Sequence, residues 1–340
     1  MVGRRSFLLF KTKKNNNRTG YTVDNFTISI DLLRIVFLLG AVLALIYKKK
    51  MGVTPGGIIV PGVLACMLLT SIVASLVIVV STLLCWTAYK AFLSKYALSN
   101  RWTSLACISL SVGIGLIALL VLEAYRAVDQ EAVLLSMVVP GLIAIGAKKY
   151  GFDKTVLATL LVTVITGWTG LLLAGVLPKH DIISAQLAMY APLALTYPFI
   201  VFPVSLLTAV LIYYRFGLRA GGYLVAPFLA VVVVGSPLQA ALLLLGVALS
   251  YFLVRLIQKH TLIIGLERFV VSLFCGYFIV TALDIVAATA GIAGYYASSL
   301  ILIIAIAVLT NDLCLQPLRA SLRKGMTLSF LVSYVTRLVV

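Results

Sequence analysis

Chemistry in a protein needs a nucleophile, an acid or base, a set of metal ligands or a charged anchor, and this chain offers few of them at useful spacing. Its two histidines, His180 and His260, stand 80 positions apart. Its five cysteines, Cys66, Cys85, Cys107, Cys275 and Cys314, lie in or beside apolar runs without a Cys-x-x-Cys spacing. That set suggests neither a disulfide framework nor a zinc site. His-Glu-x-x-His, a Walker loop and Gly-x-Ser-x-Gly are all missing, so no familiar hydrolase, ATPase or metalloenzyme signature remains. No cofactor and no metal are expected, and the activity does not run through recognisable catalytic side chains.

What remains are three groups of residues. The first is ionisable and sits inside apolar runs: Asp31 and Arg34, three apart and able to pair on one helix face, then Glu123 and Asp284. Asp284 follows an apolar run with no local partner; it is either a functional intramembrane acid or an interfacial, solvated one. The second group is Pro and Gly at membrane depth: Thr54, Pro55, Gly56, Gly57, Pro61 and Gly62, Pro140 and Gly141, and Gly221, Gly222 and Pro227. A proline removes a backbone donor, so Pro61, Pro140 and Pro227 are expected to kink or unwind their helices. Either the adjacent glycines let helices pack closely, or the breaks line a polar cavity for an anionic substrate. The third group is basic and lies between apolar runs: Lys48, Lys49, Lys50, Lys148, Lys149, Lys154, Arg215 and Arg219. These either set topology or hold a polyanion or an acidic partner surface.

The elements that must position these residues follow from composition. Of 340 residues 62% are hydrophobic and 11% charged, more apolar surface than a soluble domain of that length can enclose. The expected class is an all-α integral membrane protein. About 20 apolar residues cross the hydrocarbon core. That length gives about twelve segments, near 28–47, 55–69, 72–89, 103–123, 132–147, 155–177, 187–214, 220–234, 237–254, 266–284, 295–310 and 326–340. Several are short, so the count ranges from eight to twelve.

If all twelve cross, alternate loops carry seventeen of the basic residues against Asp153, Glu267 and Asp312, while the opposite loops carry Arg126 and Lys179 against Glu123, Asp129, Glu131 and Asp181. The positive-inside rule then makes the first face cytoplasmic and puts both termini outside. The basic tail, 1–27, with Arg4, Arg5, Lys11, Lys13, Lys14 and Arg18, argues the other way. It lacks the long apolar run and cleavage site of a signal peptide and reads as a disordered segment or an arm for anionic lipid or a partner. The net charge of +17 does not indicate nucleic acid, because the bases sit between spans.

A shift of 165 lays Gly52–Ala65 on Gly217–Ala230 with six identities in 14, and carries Lys50 to Arg215 and Lys90 to Arg255. Aligned charges as well as aligned spans point to a tandem duplication, 28–178 and 187–340. Inside the first copy, Ile58–Ala65 resembles Met137–Ala144 through a shared Val-Pro-Gly. Each half-copy then holds three spans. Three is odd, so the halves are expected to be inverted in the membrane.

The segment Lys50–Gly62, followed about 80 residues later by Ser136–Ala144, resembles the CapC or PgsC membrane subunit of bacterial poly-γ-glutamate synthase. The resemblance runs over roughly 35–172, with the basic loop Lys90 to Arg101 and Lys148-Lys149-Tyr150-Gly151. The chain departs from that family in being about twice the usual length. In its second copy Ala220 replaces the first proline, Ala226-Pro227 replaces Pro-Gly, and Ile304-Ala305-Ile306-Ala307 stands where the second Val-Pro-Gly belongs.

The resemblance implies a multi-pass protein of a bacterial cytoplasmic membrane, working in capsule synthesis with a cytoplasmic ATP-dependent amide ligase and an envelope-facing subunit to make or export an anionic polymer. By itself the subunit would be non-catalytic or co-catalytic. A reading of a different class is an autonomous secondary transporter of a small anion, with its site at the Pro-Gly breaks. A flippase or polymer-modifying membrane enzyme is disfavoured by the shortage of intramembrane acids and histidines.

Overall fold

The computed structural model describes residues 21–23, 26–28, 30–70, 72–96, 100–124, 130–176, 237–289 and 299–315. The expected spans 187–214, 220–234 and 326–340 therefore lie outside the described residues, as do Arg215, Arg219, Gly221, Gly222 and Pro227.

The first copy contains α1 (Ile30–Met51), α2 (Val60–Thr70), α3 (Ile72–Ala91), α4 (Asn100–Ala124), α5 (Gln130–Tyr150) and α6 (Phe152–Val176). A short 3-10 turn, Leu93–Lys95, follows α3. The second copy contributes α7 (Pro237–His260), α8 (Leu266–Thr289) and α9 (Ser299–Leu315). Among the described residues, four stretches are long and apolar enough to cross a membrane: Ser75–Lys95, Phe152–Ala174, Ala241–His260 and Leu266–Val286. The chain is a membrane protein. Its helices place bases where the bilayer and the helix dipole both favour them, Lys48, Lys49 and Lys50 in the last turn of α1 and Lys148 and Lys149 in that of α5.

Two expectations need correction. The end of the amino-terminal segment is not featureless: β1 (Tyr21–Val23) and β2 (Phe26–Ile28) pair antiparallel, Thr22 opposite Thr27, and β1 rests against α2. The segment 55–69 is not one helix broken at Pro61. Residues 52–59 are irregular and α2 starts only at Val60, which leaves Pro61 in the first turn, where a missing N–H costs nothing. Pro140, by contrast, lies inside α5, which is assigned helical through it and is not unwound.

Packing follows a rule. α1 packs on α2 and α6, and α2 on α6; α4 packs on α5 and α3, and α5 on α3. Exchanging α1 with α4, α2 with α5 and α3 with α6 carries each of these contacts onto another, and the contact of α2 with α5 onto itself. In the second copy α7, α8 and α9 pack pairwise, as α3, α4 and α5 do. A shift of 165 carries α4 and α5 onto 265–289 and 295–315, overlapping α8 and α9.

One hydrophobic core runs through both copies, from Val36, Phe37, Val60 and Val63 to Leu243, Leu273, Ile303 and Ile306. Glycine sets the closest approach within it. A Cβ on Gly40 would lie 2.4 Å from Gly62 Cα, and one on Gly62 would lie 2.5 Å from the Phe37 carbonyl oxygen, so α1 and α2 touch backbone to backbone.

Candidate functional site

Two basic segments a hundred residues apart in sequence meet where α1 ends and α5 ends. Between them runs the irregular segment 52–59, whose chain reversal uses left-handed glycines, Gly56 at φ +62° and Gly57 at φ +134°. A Cβ on Gly56 would sit 2.8 Å from Ile143 of α5 and 3.2 Å from the Thr159 hydroxyl of α6, so only glycine lets the segment lie in this groove. Pro55 beside it is buried.

Thr54 Oγ1 donates to the Tyr150 hydroxyl at 3.1 Å, tying the segment to the end of α5. Lys149 Nζ stands 5.1 Å from the Tyr150 ring centroid. The Thr54 bond, aided by Lys149 and Lys48, lowers the Tyr150 pKa below its ordinary value against the opposing effect of burial. Tyr150 thus senses the positive field of both segments.

Each expected base among the described residues has a definite setting. Lys48 is half-buried beside that tyrosine; Lys49 pairs with Glu267 of α8 at 2.5 Å; Lys50 is exposed. Lys148 Nζ donates to Thr103 Oγ1 of α4 at 2.9 Å, and Lys154 is exposed at the start of α6.

At the second Pro-Gly, a residue that sequence reasoning passed over does the joining. Ser111 of α4 donates its hydroxyl to the Met137 carbonyl at 2.5 Å and accepts from the Gly141 N–H at 2.9 Å. Met137 and Gly141 are four apart in α5, so the serine hydroxyl is inserted into one rung of the helix ladder next to Pro140. Gly141 makes room: a Cβ there would lie 3.0 Å from Ser111 Cβ and 3.0 Å from Ile108 Cα.

The second copy solves the same contact in reverse. The residues 165 positions on are Gly276, Ala305 and Ile306, and here the glycine is on α8, where a Cβ would lie 3.3 Å from the Ile303 carbonyl and 3.5 Å from Ile306.

Asp284 requires a correction. It is 3% exposed, not solvated at an interface, and its partner comes from the other copy: Arg34, also 3% exposed, bonds it at 2.5 Å across 250 residues. With Lys49–Glu267 this makes two ion pairs between α1 and α8, one near each end, which fixes the two helices antiparallel.

A further polar feature crosses the interior between these ends. On α6, Thr155, Thr159, Thr163 and Thr166 are buried at 0, 3, 2 and 0% exposure. At 3.6 residues per turn the four share one narrow face. The opposite face carries the exposed Leu157, Val164, Trp168 and Leu172. The spacing i, i+4, i+8, i+11 was readable in the sequence; an apolar window that averages over the helix conceals it.

Comparison with known proteins agrees with this architecture. The family described as capsule biosynthesis CapC matches the chain twice, over residues 39–156 and 204–322. The PGA biosynthesis protein CapC of Bacillus subtilis (strain 168) is 29% identical over 134 residues, covering 38% of this chain and 88% of that protein. No solved structure matches. Two matches separated by the same 165 positions that relate the helices, and together spanning more than half of the residues, show that the chain belongs to the CapC capsule-biosynthesis family and carries its unit in tandem.

Proposed function

We propose that this chain is the multi-pass subunit, in a bacterial cytoplasmic membrane, of a complex that makes and exports an anionic polyamide of the poly-γ-glutamate type. The family and the B. subtilis relative, named for PGA biosynthesis, supply the pathway. The observation that carries the reading is the meeting of Lys48, Lys149 and Tyr150 with the Thr54 segment at one mouth of the helix bundle, next to Lys148, which is held by Thr103 of α4.

A polymer with one carboxylate per residue is drawn to such a mouth, and an amide ligase that discharges product there needs no long transfer. In this reading twelve spans cross, every base-rich loop faces the cytoplasm, and an envelope-facing subunit receives the chain. The exchange symmetry of helix contacts in the first copy is what two inverted three-helix units produce.

The test removes charge without removing structure. Lys148, Lys149 and Lys154 replaced together by Gln should lower polymer output about fivefold, three exposed contacts each contributing a few tenths of a kcal/mol. Protein level and orientation should hold, and the same change at Arg319, Arg323 and Lys324 should matter less. Wild-type output should also fall as added salt shortens the Debye length from about 10 to about 3 Å. Full output from the triple variant would leave those lysines with a topological role alone.

A carrier for a small anion is the competing reading, favoured by the half-length α2 with its irregular approach. Affinity purification from a mild detergent extract separates the two: an ATP-dependent ligase should co-elute in fixed ratio, and a solitary, anion-transporting protein would favour the carrier.

A further inference from the structure

The face of α6 that looks into the bundle is more polar than its packing requires. Thr159 and Thr166 donate to the carbonyls of Thr155 and Val162, each at 2.7 Å, and need nothing more. The Thr155 and Thr163 hydroxyls are fully buried and make no hydrogen bond with any described group. A buried hydroxyl without a partner is costly, and valine would fill the same space without that cost.

What lies over Thr159 is the least regular part of the first copy. Gly56 rests on the Thr159 hydroxyl, and Gly146 leaves room on one side for Thr155 Cγ2 and on the other for Gly56 Cα, at 3.1 and 3.4 Å from where its Cβ would be. Segment 52–59 is no helix and turns on left-handed glycines; among the described residues its side-chain hydrogen bond is Thr54–Tyr150, and Pro55, Gly56 and Ile58 are buried against the bundle.

We propose that Thr155, Thr159 and Thr163 form the binding site for the main-chain amides of a polyamide, entered at Thr159 when segment 52–59 lifts from α6. This rests on the function proposed above and assigns the part of the polymer that the lysines do not hold. The division of labour is chemical. Carboxylates want cations, and Lys148, Lys149 and Lys48 at the mouth supply them. An amide wants one acceptor and one donor, and a threonine hydroxyl is both. Hydroxyls four residues apart recur every 6 Å or so along the helix, Thr155 and Thr163 able to donate and accept and Thr159 between them able to accept, with no charge strong enough to trap an amide.

The substitution that tests this keeps shape and deletes chemistry. Thr155→Val with Thr163→Val should leave the yield of monodisperse protein in detergent unchanged or raised, and should lower polymer output about tenfold, as expected for two lost hydrogen bonds. The double Ser variant should retain output, because it retains both hydroxyls. A double Val variant as active as wild type would overturn the site.

Should the double Val variant fold poorly, a second measurement decides. In a protein whose five cysteines are replaced by alanine, Thr159→Cys should react with a small maleimide, and a γ-linked glutamate decamer should slow that reaction. Labelling at the same rate with and without the decamer would overturn the site. If instead no polymer depends on the wild-type protein, the function proposed above has failed; if polymer depends on the wild type and not on the hydroxyls, only the site has.

Discussion

At the scale of single residues, the buried pair Arg34–Asp284 is the most consequential contact among the described residues. Two ions taken from water lose several kcal/mol each and recover it only in good geometry, so the pair adds little net stability, while loss of one member takes a buried counter-charge from the other. Arg34→Met or Asp284→Leu alone should therefore destabilise the protein by about 3–5 kcal/mol, and the double variant by much less than the sum. Thermal unfolding in detergent, followed by the fraction remaining monodisperse, measures the cycle, and additive losses would refute the coupling. Lys49→Ala, which breaks a pair whose side chains are 60% and 40% exposed, should cost no more than about 1 kcal/mol. The contrast matters for function because the buried pair joins the two copies at one end of α1.

At the scale of elements, the bundle is built where helices come close enough for backbone contact, and the two copies reach that closeness differently. On α4 and α5 the glycine is Gly141 and the larger partner is Ser111; on α8 and α9 the glycine is Gly276 and the larger partner is Ile306. Copying one side alone must overfill the contact. Gly141→Ile should cost about 3 kcal/mol or more, because a side chain would be driven into Ser111 and the backbone at Ile108. Adding Ser111→Gly and Pro140→Ala should restore a large part of that loss, since the triple variant recreates the arrangement of the second copy. Folded yield and unfolding temperature of the single and triple variants check this; equal losses in both would show that the two contacts are not alternative solutions to one packing problem. The first copy keeps the version with a hydroxyl in the helix ladder, and that copy also carries the mouth of the candidate site.

At the scale of the whole molecule, α1 and α8 run antiparallel, which agrees with their being the first and tenth of twelve spans, with an even number of spans between them. Cysteines introduced at Lys149 and Arg255 should be labelled only from the cytoplasm, and those at Asp129 and Lys179 only from outside; external labelling at Lys149 would overturn the twelve-span topology. Much of this protein follows from sequence alone. Its membrane class, its duplication, its family and most helix limits are carried by composition, by period and by a repeat at 165, all of which act within one element or recur along the chain. Spacing showed no obvious local partner for Asp284, and could not say that Arg34, 250 residues away, would meet it, because an ion pair between helices depends on how they pack. The same limit hid Ser111, whose hydroxyl acts on a helix other than its own, and left Pro61 looking like a break, although α2 begins there. Four threonines at helical spacing define a face in any sequence. Only the packing of α6 turned that face inward, with Thr159 beneath Gly56 and Thr166 beside Gly40 of α1, since a helix has a polar side by its sequence and an inner side by its neighbours.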